Sequence, residues 1–181
     1  MNHFSILQKF RNKIKIQSST VLKIDKSVKI VHCKIEIKGK NNKLIIEEGV
    51  TIRNTQIEIL GEGSSIYIGK TCIVGHDCYL SAKEGKTLII KDNCMLSRNV
   101  KIMTSDGHPI YQNGCVINQA KDVRINNNVW LADNVTVLKG VTIGSNCIVG
   151  INSTLTHSIK SHTVAVGNPA KVVKEDISWE K

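Results

Sequence analysis

From Ile125 the chain divides into six consecutive hexads: INNNVW, LADNVT, VLKGVT, IGSNCI, VGINST and LTHSIK. Their first residues are Ile125, Leu131, Val137, Ile143, Val149 and Leu155. Their fifth residues are Val129, Val135, Val141, Cys147, Ser153 and Ile159. A large aliphatic always leads, a smaller or β-branched residue follows four places later, and Gly, Asn, Asp, Ala and Lys dominate between them. The same period runs from Ile68 through Val74 to Leu80, and from Ile90 through Leu96 to Ile102. A weaker copy covers Ile46 to Ile52, and residues 21–40 alternate as opening coils of the same kind. A period of six matches neither a helix face nor a flat strand. It matches a solenoid in which every sixth residue points inward. Three hexads then make a coil of 18 residues, each coil stacking its backbone hydrogen bonds on the next as a parallel β-helix. The corners need residues that accept left-handed backbone angles, which explains the Gly, Asn and Asp.

Composition agrees with this reading. The chain has 181 residues, 41% of them hydrophobic but only 4% aromatic, so one core of Ile, Val, Leu and small residues is expected. Cys72, Cys78, Cys94 and Cys147 fall at the small fifth position and read as packed thiols. Cys33 and Cys115 lie outside the clean repeats and are given no chemistry. No Cys-x-x-Cys pair occurs, so no metal site is expected.

The net charge of +10 is spread along the chain without a Lys/Arg block. With so few aromatics to stack on bases, this argues against nucleic acid and for an anionic polysaccharide or a phosphorylated ligand. No apolar run reaches the length of a transmembrane helix. The segment MNHFSILQKFRNK has no signal-peptide apolar region or cleavage site. With thiols and no secretory signal, the expected compartment is the cytoplasm. That segment reads as a short amphipathic cap with Phe4, Leu7 and Phe10 on one side, peripheral contact with a membrane surface being the alternative. The expected organisation is a cap at 1–20, the β-helix at 21–175 and a short tail at 176–181.

The period stops after Ile102 and resumes at Ile125, leaving an excursion at about 103–124, MTSDGHPIYQNGCVINQAKDVR. A solenoid accepts an insertion where a corner loop can leave the coil, and loops on rigid scaffolds carry function. His108 sits there, its backbone restricted by Pro109. An imidazole titrating near neutrality can remove a hydroxyl proton at physiological pH. No Gly-x-Ser-x-Gly nucleophile elbow occurs.

The hexads resemble those of the hexapeptide-repeat acyltransferases, and the resemblance covers about residues 20–175. It implies an all-β fold, a left-handed parallel β-helix with one protruding active-site loop, and a homotrimer with sites between subunits. The stretch Gly107-His108-Pro109-Ile110-Tyr111 resembles the loop of galactoside, maltose and polysaccharide O-acetyltransferases, which implies that His108 is the catalytic base. Asp106 and Tyr111 would then lie beside the acceptor, and either Asp106 or a backbone carbonyl would orient His108.

Asn128-Val129-Trp130-Leu131 resembles the family's N-x-V-W-I-G segment and implies that Trp130 flanks the acetyl-CoA channel. The corner Ala132-Asp133 is the expected oxyanion donor and cofactor contact. Ala165 to Lys174 resembles the family's closing motif, implying that Lys171 and Lys174 meet the CoA phosphates. By the same resemblance Gly150, Ile151, Thr156 and His157 line the cofactor, and Asp77 lies near the acceptor sugar.

The implied reaction is acetyl-CoA-dependent O-acetylation of a sugar, sialic acid or another unit of a surface polysaccharide. The alternatives are another acceptor (an amino sugar, chloramphenicol or serine) or a non-catalytic β-helix that binds or scaffolds, in which His76, His108 and His162 would be the zinc ligands to check.

Overall fold

A computed structural model describes residues 4–17 and 19–181. Three parallel sheets run the length of the molecule, and the chain visits them in turn. Sheet A contains Lys13–Ile16, Lys34–Lys38, Gln56–Leu60, Tyr79–Lys83, Lys101–Met103, Thr136–Val137 and Thr154–Leu155. Sheet B contains Val21–Ile24, Lys43–Ile46, Ser65–Ile68, Thr87–Ile90, Val123–Ile125 and Thr142–Ile143. Sheet C begins with Lys29–Val31, Thr51–Arg53, Ile73–Val74, Met95–Leu96, Trp130–Leu131 and Ile148–Val149. It ends in the antiparallel hairpin Val164–Gly167/Ala170–Lys174. One helix, α1 (Ile6–Arg11), precedes the first strand. The architecture is thus an all-β parallel solenoid.

The hexad rule predicts the core. Ile125, Leu131, Val137, Ile143, Val149 and Leu155 are all fully buried, as are Val129, Val135, Cys147 and Ser153. The inward aliphatics stack coil upon coil, and each fully buried Val, Leu or Ile contributes roughly 1.5–3 kcal/mol. Cys72, Cys94 and Cys147 donate to the backbone oxygens of Lys91, Asn126 and Lys160, each at 3.0 Å, as packed thiols do. Cys115 is exposed.

The corners follow from the fourth hexad position. Asn128, Asn134, Asn146 and Asn152 have φ of 55, 61, 57 and 57°. Asparagine tolerates this region because its short amide bonds locally. Here the amides also form ladders between coils. Asn99 donates to Asn134 at 2.8 Å, Asn134 to Asn152 at 2.8 Å, and Asn128 to Asn146 at 2.8 Å. One such column runs between sheets C and A, the other between B and C.

The 18-residue coil holds only in the last turns, where Trp130 pairs with Ile148 and Thr136 with Thr154. In the first turns Val21 pairs with Lys43, Lys43 with Ser65 and Ser65 with Thr87, so one turn takes 22 residues. The extra residues lengthen the sheet A strands and widen the corner from sheet A to sheet B. That corner is plugged by buried Asn42, which donates to the oxygens of Lys38 and Gly61 at 2.9 Å and accepts from Ser64 N at 2.9 Å. The turn after Met95 takes 35 residues, because Met95 pairs with Trp130. The excursion is inserted there.

Candidate active site

The excursion leaves at the wide corner, between Lys101–Met103 of sheet A and Val123–Ile125 of sheet B. Buried Thr104 anchors its root, donating from N to Ser81 O at 3.2 Å and accepting from Lys121 N at 2.9 Å. Asp122 closes the other side by accepting Thr87 N at 2.8 Å. Within the loop Tyr111–Gln112 and Cys115–Val116 form an antiparallel hairpin. Its turn is Asn113-Gly114, with φ of 51 and 77°, as a tight hairpin requires. The sequence carries this signal, although the hexad reading treats the stretch only as an irregular loop.

Side chains fix the backbone around His108 from both ends. Ser105 Oγ donates to the Glu84 carboxylate and accepts Gly107 N at 3.0 Å. Asn118 does more: its Nδ2 donates to His108 O at 2.9 Å and to Asp106 Oδ2 at 2.8 Å, while its Oδ1 accepts Ile110 N at 2.6 Å. Lys139, from the coil below, donates to Asp106 and, at 2.7 Å, to Asn118 O. The Lys139 hydrogen bond holds the Asp106 carboxyl below the ordinary carboxylate range, against a partial burial that works the other way. Asp106 therefore clamps the loop with Lys139 and Asn118. The cleft so formed, about 320 Å³, is lined by Glu84, Ser105, His108, Pro109, Val116, Asn118 and Gln119. Residue-type patterns along the sequence do not point to Glu84, Asn118 or Lys139; loop closure brings them to the cleft. Tyr111 lies outside this lining and is exposed.

The other predicted site residues divide between two edges. Thr156 and His157 follow Thr154–Leu155 and turn from sheet A towards sheet B, on the edge that carries the loop. Their side chains bond each other at 2.8 Å. Trp130 stands on sheet C, while Asp77, Ala132, Asp133, Gly150 and Ile151 occupy the corner between sheets C and A. Within one chain the structure does not bring this group to His108. The Ala132 N–H donates to Val149 O at 3.0 Å in the stacking of coils, so it is not the free oxyanion donor expected. The Asp133 carboxylate is held by Arg98, whose Nε donates at 3.0 Å. Asp77 has a φ of 60° and accepts Asn54 Nδ2 at 2.5 Å. It lines a separate groove of about 460 Å³ with His32, Lys34, Gln56 and Tyr79. Lys171 and Lys174 are exposed on the closing hairpin. His76, His108 and His162 lie at three different corners, and among the described residues no cluster of metal-ligating side chains forms.

Trp130 does not pack beneath the loop. Its Nε1 donates to Ser97 Oγ at 3.1 Å, and its ring meets that of Trp179 at 5.9 Å between centroids. Trp179 Nε1 donates in turn to Asn128 O at 2.8 Å. The tail runs along the corner between sheets B and C, with Ile177 N on His162 O at 3.1 Å and Lys181 Nζ on Thr71 O at 2.8 Å.

Comparison with known proteins places this geometry. A family model described as bacterial transferase hexapeptide (six repeats) matches residues 122–157. A polysialic acid O-acetyltransferase of Escherichia coli O1:K1 / APEC is 34% identical over 110 residues, 60% of this chain and 31% of that relative. A probable macrolide acetyltransferase of Lysinibacillus sphaericus is 42% identical over 60 residues, 33% of each chain. The chain thus spans about one third of the length of these curated relatives. The solved structures match over far more of their length. The crystal structure of the polySia specific acetyltransferase NeuO is 30% identical with a TM-score of 0.76, over 95% of this chain and 90% of that one. That of the polysialic acid O-acetyltransferase OatWY is 31% identical with a TM-score of 0.63, over 94% and 90%. By its hexads, its three parallel sheets and this likeness along nearly the whole chain, the protein belongs to the hexapeptide-repeat acetyltransferases.

Proposed function

We propose that this protein transfers an acetyl group from acetyl-CoA to a hydroxyl of an anionic surface polysaccharide, with sialic acid units as the first candidate acceptor and His108 as general base. The observation that carries the reading is the cleft in which the excursion holds His108 on a clamped backbone. A bound acetyl-CoA supplies an activated thioester, so no acyl-enzyme is required. His108 takes the proton of the acceptor hydroxyl as its oxygen attacks the acetyl carbon. The imidazolium then returns the proton to the departing thiolate. The half-buried Trp130 ring and the exposed cations Lys171 and Lys174 suit an adenine-bearing, phosphorylated ligand.

Charge supports an anionic acceptor. Residues 1–60 hold 12 Lys and Arg against 5 Asp and Glu, a net +7 of the whole chain's +10. Such a field raises the local concentration of a polyanion. The division of site residues between two edges supports a composite site, the loop of one copy meeting the Trp130 side of another in a homotrimer. Ile110, Tyr111 and Ile117 on the loop are all more than half exposed, an apolar surface suited to such a neighbour.

The test is free-thiol release from acetyl-CoA with sialic acid, polysialic acid, a galactoside, maltose, chloramphenicol, a macrolide and serine as acceptors. Release with the sialic acid acceptors supports the reading. Release only with the macrolide, the substrate class named for the L. sphaericus relative, replaces the acceptor and keeps the chemistry. No release with any acceptor defeats it.

Asn118→Ala tests the clamp. It removes three hydrogen bonds that set the path of residues 106–110 without touching the solenoid core. The expected result is a loss of kcat of about ten- to a hundredfold, because small displacements of a reacting group are costly. Thermal stability should be unchanged. Full activity would show that the loop holds His108 without it.

A further inference from the structure

The N-terminal end of the solenoid carries an apolar patch that the proposed reaction does not use. Helix α1 is fixed to the first coil. Ser5 and Gln8 form a capping box, Phe4 is 4% exposed in the core, and Gln8 Nε2 donates to Val28 O at 3.0 Å. Asn12 follows, donating to Ile30 O at 3.0 Å and accepting Cys33 N at 2.7 Å. The side chains expected to share one face therefore separate: Phe4 anchors the cap, while Leu7 and Phe10 point outward. Ile6, Leu7 and Phe10 are 89, 56 and 91% exposed, and at positions i, i+1 and i+4 they form one patch.

Cations surround this patch. Lys9 and Arg11 lie in the last turn of the helix, with Lys13 and Lys15 on the strand beyond. A groove of about 450 Å³ beside Phe10 is lined by Arg11, Lys13, His32 and Lys34, and no carboxylate reaches it. The chain has no Asp or Glu before Asp25.

We propose that this end of the molecule docks on an anionic lipid bilayer. Ile6, Leu7 and Phe10 enter the headgroup–acyl boundary, and Arg11, Lys13 and Lys34 meet lipid phosphates. Apolar side chains ringed by Lys and Arg are what an interfacial segment needs. A hydrated polyanion has no use for three exposed apolar side chains. A second copy docked through the same patch about a two-fold axis would bring like charges together. The proposal does not depend on the acceptor or on His108.

Flotation with vesicles of phosphatidylcholine containing one-third phosphatidylglycerol tests it, with pure phosphatidylcholine as the comparison. The intact chain is expected to float with the anionic vesicles and to remain free of the neutral ones. Ile6→Ser with Phe10→Ser is expected to weaken binding at least about tenfold. Arg11→Glu with Lys13→Glu is expected to weaken it by more than about fivefold per charge lost. Circular dichroism would show that both variants keep the sheet signal. Failure of the intact protein to bind anionic vesicles overturns the proposal, as does binding that survives either double substitution. Loss of self-association in Ile6→Ser/Phe10→Ser, with no vesicle binding by the intact chain, would assign the patch to a second copy. Capture by soluble polysialic acid in place of vesicles would assign the cations to the acceptor.

Discussion

His108→Ala is expected to lower acceptor-dependent thiol release by about a hundredfold or more, the scale set by loss of a general base. Acetyl-CoA binding and thermal unfolding should stay as they are. The substitution is clean because the clamp grips His108 through its backbone: Asn118 bonds the carbonyl oxygen, which alanine keeps. No core contact is lost, since residue 108 is exposed on the loop. Loop order has a pH dependence of its own, through Asp106. The Asp106 carboxyl is held below the usual range by Lys139, so its contribution to loop order is present above the ordinary carboxylate pKa and is lost only as pH drops through the lowered one. That contribution is also small, because the Asp106 side chain is 41% exposed. An alanine variant that retained full rate would remove His108 from the chemistry and return attention to Glu84, the carboxylate of the same cleft.

The parts readable from the sequence are those in which each residue answers to its own backbone position. Leu131 and Val149 are inward because the hexad makes them so, and Asn134 is left-handed because few other residues bear it at low cost. The 22-residue turns were hidden because their long strands alternate, as in KIEIK, and alternation reports a strand without reporting how many residues the next corner consumes. The hairpin at Asn113-Gly114 has turn chemistry of its own, which a six-residue period does not register. The Trp130–Trp179 contact and the hold of Asn118 and Lys139 on the loop are tertiary events. Nothing local in Trp179 names Asn128, its hydrogen-bond partner 51 residues away, and the tail finds it by running along a corner whose position depends on every coil before it. His108 was legible for the opposite reason: it breaks a pattern, and a break in a repeat is local.

Gly75→Ala is expected to cost about 3 kcal/mol of stability, a fall of roughly 6–12 °C in Tm for a chain of this size. Gly75 starts the corner between sheets C and A, with its N–H on Leu96 O at 2.8 Å. A Cβ there would lie 2.2 Å from Ser97 O and 2.8 Å from Ser97 C, both backbone atoms of the next coil. They cannot swing aside as a side chain does, and the coils would have to part. Gly63→Ala is the proper comparison. Its φ of 71° strains an added side chain, but nothing lies within 4 Å of the new atom. Backbone strain alone costs about 1–2 kcal/mol. The difference between the two substitutions therefore measures how tightly the coils stack. In a solenoid each coil leans on its neighbours, so the damage should spread by one coil and no further. The coil beneath Gly75 is the one from which the His108 loop departs. Amide exchange should then speed up in Ile73–Val74 and Met95–Leu96, leave Thr154–Leu155 protected, and be accompanied by lower activity at temperatures where the chain is still folded. Equal losses for the two alanines would mean that the coils have room to yield.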